Sequence, residues 1–174
     1  MRIFSSNTSD FQPSLVFLTN THWPNLRRLN IEAFQWYRSS PSQIFTEFLN
    51  RHRKLEILSL FGSGAIPISA ALTLPKLKAL SLSWHHNRFL ETDSLAYNAF
   101  PDSLAVNLEH FGGIIVVEDI RNGFIDNLSN LRSCQVVAPI KSLSKIVASL
   151  PNIEHLEYSI LDETLCVCVH LFLK

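Results

Sequence analysis

The chain has 174 residues, room for one domain or two very small ones at roughly 100–200 residues per domain. Hydrophobic residues make up 47% and charged ones 17%, with only 5 Gly and 8 Pro, a composition that excludes a disordered or collagen-like chain. Fifteen Lys and Arg balance fifteen Asp and Glu, so no net field favours nucleic acid or an acidic membrane surface, and neither is expected as a partner.

Residues 1–22 read as a partial repeat or N-terminal cap. The opening run MRIFSSNTSDFQ lacks the continuous apolar segment of a secretory signal, so a cytoplasmic or nuclear location is expected. No apolar stretch approaches the ~20 residues that span a bilayer. The sequence then repeats itself. WPNLRRLNI (23–31) places Leu26, Leu29 and Ile31 on the pattern L-x-x-L-x-[LI]. After it, PSQIFTEFLNRH (41–52) spaces Ile44, Phe45, Phe48 and Leu49 on one helical stripe behind a Ser40-Pro41 start signal. HRKLEILSL (52–60) and LPKLKALSL (74–82) repeat the pattern with Leu55, Leu58 and Leu60 and with Leu77, Leu80 and Leu82. Residues 84–102, rich in polar and turn-forming types, read as an inserted loop. A weaker copy, LEHFGGIIV (108–116), is aligned on Phe111, Ile114 and Val116. LSNLRSCQV (128–136) keeps the frame with Cys134 and Val136. A second helix is expected over 140–150, with Leu143, Ile146, Val147 and Leu150 on one side and Pro151 ending it. LPNIEHLEY (150–158) is the last copy, and 161–174 reads as a C-terminal strand or tail without a polar cap.

Taken from Leu26, Leu55, Leu77, Phe111, Leu131 and Ile153, the steps are 29, 22, 34, 20 and 22 residues. Four of the five fall in the roughly 20–29 residue window of leucine-rich repeats, and the long one contains the inserted loop. Two anchors spaced two apart put their side chains on one face of a short strand. Stacking such strands in parallel requires a return path in each repeat. The expected fold is therefore α/β: a leucine-rich-repeat solenoid, a horseshoe arc of about six irregular repeats over 23–160. It would carry a short-strand parallel sheet on one side and helices or turns on the convex side.

Three motifs, Trp23-Pro24-Asn25-Leu26, Leu74-Pro75-Lys76-Leu77 and Leu150-Pro151-Asn152-Ile153, resemble the repeats that follow the F-box in many fungal F-box proteins. In that family the F-box docks on a Skp-type adaptor of a cullin ubiquitin ligase while the repeats hold the substrate. The resemblance implies a non-enzymatic module for protein–protein interaction, with a protein partner of unknown identity. A Skp-type adaptor would be a partner only of a longer form, since the F-box segment is absent from these 174 residues. The alternative expectation is a truncated structural fragment without independent function, open to self-association through uncapped ends.

Residues flanking the last two anchors of each repeat should point away from the core and line the concave face. From that set, and from the aromatic-rich run after the third repeat, the candidate partner-binding residues are Arg28, Asn30, Glu32, Phe61, Ser83, Trp84, Gln135, His155 and Glu157. No spacing suggests a catalytic triad, a phosphate loop or a nucleophile elbow. Gly62-Ser63-Gly64 reads as a turn at the end of a strand. Cys166, Cys168 and His170 share one alternating segment and lack the second ligand pair that zinc needs. The expectation is no cofactor, no metal and reduced thiols.

Overall fold

The computed structural model describes residues 2–5, 20–35, 42–63, 71–84, 102–115, 124–138, 140–161 and 166–172. Among these residues, eight strands form one sheet in strict sequence order: β1 (Arg2–Ser5), β2 (Arg28–Gln35), β3 (Ile57–Ser63), β4 (Ala79–Trp84), β5 (His110–Ile115), β6 (Ser133–Ala138), β7 (His155–Leu161) and β8 (Cys166–Phe172). The pairings from β1 to β7 are parallel, and β8 returns antiparallel to β7. The chain is a mixed α/β protein, and the helices among the described residues are α1 (Ser42–Arg51), the single turn α2 (Asp102–Ala105) and α3 (Leu143–Ser149). Short 3₁₀ turns stand at Phe124–Asn127 and Ile140–Ser142.

Each strand from β2 to β7 begins after the same backbone turn. The N–H of the first anchor donates to the carbonyl three residues back: Leu26 to Trp23, Leu55 to His52, Leu77 to Leu74, Leu108 to Ala105, Leu131 to Leu128 and Ile153 to Leu150, all at 2.9–3.2 Å. The turn closes each return path and aims the next two anchors at the core. In register across the sheet, Leu29, Leu58, Leu80, Phe111, Cys134 and Leu156 then form one buried row. Ile31, Leu60 and Leu82 extend a second row, which Val136 and Tyr158 continue on the far side. Helix α1 seals the row with Phe45, Phe48 and Leu49, as its expected stripe requires, although the side chain of Ile44 and the Ser40-Pro41 start lie outside the described residues. Helix α3 contributes Ile146, with Leu143 and Val147 partly buried against the same core. Fully burying one such side chain contributes about 1.5–3 kcal/mol before conformational entropy is subtracted.

One alignment needs correcting. The fourth copy was expected to anchor first on Phe111, but Phe111 pairs with Leu80 and Cys134, the second anchors of their repeats. The first anchor is Leu108, fully buried and carrying the turn bond to Ala105. The steps around it become 31 and 23 residues rather than 34 and 20. The reason is Gly112-Gly113: the pairing of β5 with β6 shifts between Phe111 and Ile114, so the apolar run after the glycines is out of phase with the strand start. His110 and Gly112, not Gly113, Ile115 and Val117, therefore stand beside Ala79 and Ser81.

The residue directly after the first anchor alternates in charge from β2 to β7: Arg27, Glu56, Lys78, Glu109, Arg132, Glu154. Arg27 pairs with Glu56 at 3.2 Å, Lys78 with Glu109 at 2.8 Å and Arg132 with Glu154 at 3.2 Å. The hydrogen bond from Lys78 holds the Glu109 carboxyl below its usual range and raises the Lys78 ammonium in return. Exposed pairs of this kind add little stability. Their order matters more, because each ladder charge meets only the opposite sign at the matching position of the neighbouring repeats.

Candidate functional site

On the face opposite the core, the parallel register lines up side chains from successive repeats. One row runs Arg28, Ile57, Ala79, His110, Ser133 and His155, and β8 adds Phe172 opposite His155. The next row runs Asn30, Ser59, Ser81 and Gly112. Beyond the shift in β5 it resumes with Gln135 and Glu157, and His170 stands opposite Glu157. Small side chains in the middle of these rows leave a groove of about 320 Å³ from Ile57 and Ser59 to His155 and Glu157. Gly112 forms part of its floor. A Cβ there would lie 2.5 Å from the Ser81 hydroxyl oxygen, which itself approaches the Gly112 carbonyl at 3.4 Å, so any larger residue would force the Ser81 side chain to shift.

Polar groups converge on the C-terminal half of the groove. The Gln135 Nε2 donates to Glu157 Oε1 at 2.9 Å, and His110 Nδ1 lies 2.8 Å from the Ser133 hydroxyl. The His155 ring stacks on Phe172, with centroids 5.0 Å apart and planes 21° from parallel, and faces His170 at 6.1 Å and 9°. Phe172 is 76% exposed, the most exposed large hydrophobic among the described residues. The Ser133–His110 contact resembles a nucleophile–base pair in distance alone. Among the described residues no carboxylate bonds the other His110 ring nitrogen.

Of the residues expected to bind a partner, Gln135, His155 and Glu157 meet in this groove. Arg28, Asn30, Glu32 and the half-buried Phe61 lie at the N-terminal end of the same face, outside it. The Asn30 Oδ1 is buried there without a hydrogen-bond partner among the described residues. Ser83 and Trp84 close β4, but their side chains, like residues 36–41 and 85–101, lie outside the described residues. The sequence reading missed four contributors. His110 and Gly112 were displaced by the three-residue error in β5, and the spacing of Leu108 to Phe111 was the signal that could have corrected it. His170 and Phe172 sat in a tail with no repeat to align to; the alternation of CVCVHLF marked it as a strand.

A wider depression of about 550 Å³ lies along the strand starts, lined by Lys76, Asn107, Asn130, Asn152 and four members of the charge ladder. Its four ladder charges already bind one another, and Asn130 and Asn152 donate at 2.8 Å to the carbonyls of Val106 and Ser129 in the preceding repeat. It reads as a seam between repeats. Among the described residues, Cys134, Tyr158 and His52 are titratable groups buried in the core, and burial raises the Tyr158 phenol. Burial pushes the Cys134 thiol up to about 12, which makes it an inert hydrophobe. His52 is 3% exposed and packed, with its ring tilted, among those of Trp23, Phe48 and His22. Its Nδ1 bonds the Phe48 carbonyl at 2.8 Å, and its Nε2 accepts the Trp23 N–H at 3.1 Å. That pair of bonds requires the neutral ring protonated on Nδ1, and burial lowers the His52 pKa accordingly.

Among the described residues no helix is long and apolar enough to cross a membrane, and no group of three His, Cys, Asp or Glu side chains could hold a metal ion. No known family model matches the chain, and no curated protein matches it.

Proposed function

We propose that this chain is a leucine-rich-repeat solenoid of about six irregular repeats that works as a non-enzymatic protein-interaction module, with the groove face of its sheet as the binding surface. The observation that carries this reading is the recurrence, from β2 to β7, of one unit: a backbone turn, a buried first anchor and two anchors on a parallel strand. Such units bury a core only by stacking and leave one sheet face for recognition. That face here is mixed in polarity, with small residues at its floor and aromatic rings at one end, a composition suited to a protein surface.

A narrower reading rests on the resemblance of the three proline-containing motifs to fungal F-box repeats. On it, the module holds the substrate of a ubiquitin ligase in the cytoplasm or nucleus, and a longer form carrying an F-box would bind a Skp-type adaptor.

Site-specific photo-cross-linking tests the interaction reading. A photoreactive residue replaces Ser59 in the groove or, as a control, Lys76 on the strand-start edge, and the folded chain is incubated in fungal cell extract. The expected result is a reproducible protein adduct from position 59 that Ala79→Trp, filling the groove, abolishes. Equal labelling from both positions, or none from position 59 in a folded chain, refutes the groove as the binding surface. Co-recovery of a Skp-type adaptor and a cullin would support the ligase reading.

A further inference from the structure

Resting on the reading of this face as a protein-binding surface, we propose that the C-terminal end of the groove is a seat for one arginine side chain of the partner. Glu157 supplies the first requirement. Its carboxylate is half-buried and held by the Gln135 amide on Oε1, while no described residue bonds Oε2. No Lys or Arg lines the groove among the described residues. A fixed acceptor of this kind, partly withdrawn from water, favours a cation that brings its own hydrogen bonds.

The neighbouring rings select which cation. The antiparallel return of β8 sets Phe172 opposite His155 and His170 opposite Glu157, so the three rings and the carboxylate share one corner of the sheet. His155 lies within 21° of parallel to Phe172 and within 9° of parallel to His170, and the ring of Phe172 stands in solvent. The outer face of this ring stack, at the exposed Phe172, is an aromatic platform on the same corner of the sheet as the acceptor. A guanidinium is planar and weakly hydrated, and it can stack on such a platform while directing N–H groups at a carboxylate. An ammonium can satisfy the charge but not the plane. The Gln135 side-chain carbonyl and the Ser133 hydroxyl provide further acceptors at the groove wall.

The test is a titration of the full chain with three capped tripeptides, acetyl-Ala-X-Ala-amide with X as arginine, lysine or citrulline, followed by NMR at His155, His170 and Phe172. The arginine peptide should give saturable shifts confined to this corner. Lysine should bind more weakly. Citrulline, which keeps the shape and loses the charge, should raise Kd by about tenfold or more, the size expected when a charge-assisted hydrogen bond is lost. Glu157→Gln should produce the same loss, and Phe172→Ala should weaken binding independently should the first variant fold poorly. Glu154→Gln, in the charge ladder, should leave binding unchanged. Equal binding of arginine and citrulline peptides overturns the proposal, as does undiminished arginine binding by a folded Glu157→Gln chain or no response at all. Cross-linking from position 59 that survives in Glu157→Gln would remove the arginine seat while keeping the interaction face; loss of face-specific cross-linking with intact arginine binding would do the reverse.

Discussion

Leu80 is the sharpest probe of the stacked architecture. It is 1% exposed, central in the sheet and in register with Leu58 on one side and Phe111 on the other. Leu80→Ala removes three carbon groups from the core, a transfer loss of about 2.4 kcal/mol at ~0.8 kcal/mol each. A cavity term adds to it. Neighbours on both strands are fixed by parallel pairing, so the gap cannot close easily, and the total should reach about 3–4 kcal/mol. For a protein of this size that corresponds to a fall in Tm of roughly 6–16 °C. Urea unfolding followed by circular dichroism, with m unchanged, measures it directly. Ser59→Ala, on the opposite face of the neighbouring strand, should change stability by less than about 0.5 kcal/mol. A Leu80→Ala loss below about 1 kcal/mol would refute the reasoning, because it would mean that the Leu58–Leu80–Phe111 row is not a packed core.

Three further outcomes follow from the same geometry. Because burial lowers the His52 pKa in the folded state, the neutral ring contributes stability that is complete above about pH 6.5 and is lost as pH falls from there through the folded value. His52→Leu, which installs the residue found at the matching positions 74, 128 and 150, should remove that part of the pH dependence in parallel melts; an identical acid profile in both chains would show that His52 does not titrate with folding. Gly112→Ala should destabilise the chain by roughly 1–3 kcal/mol through overpacking against Ser81, and Ser81→Gly should recover much of the loss in a double-mutant cycle, whereas additive losses would argue against the contact. Lys78→Glu should destabilise more than Lys78→Met, since it sets three acidic residues side by side at Glu56, position 78 and Glu109, and 0.5 M salt should shrink the difference.

Much of this architecture was legible in the residues because its determinants are short-range. L-x-x-L-x-L fixes both the phase of a strand and its buried face, and the stripes of Phe45, Phe48 and Leu49 and of Leu143, Ile146 and Val147 fix the two longer helices. The reading slipped where apolar character and phase part company. In HFGGIIV the most hydrophobic residues follow the glycines, yet the strand is phased by Leu108 and Phe111 before them. β8 could be recognised as a strand by its alternation, but its direction depends on how the chain returns after β7, which no periodicity encodes. The groove was half visible: Gln135, His155 and Glu157 follow from repeat phase, whereas Phe172 and His170 stand beside its end only through that reversed strand. The charge ladder went unseen because a net charge of zero averages away the alternation from one repeat to the next.

That alternation gives the stack a parity. Excising the single repeat that carries Lys78 would bring Glu56 against Glu109, an acid–acid step in an otherwise neutralised seam. Excising the repeats of Lys78 and Glu109 together would bring Glu56 against Arg132 and heal it. Shortening or lengthening such a chain is therefore easiest in units of two, and the seam acts as a phase marker by which a designer, or a gene rearrangement, can gain or lose repeats without a mismatch.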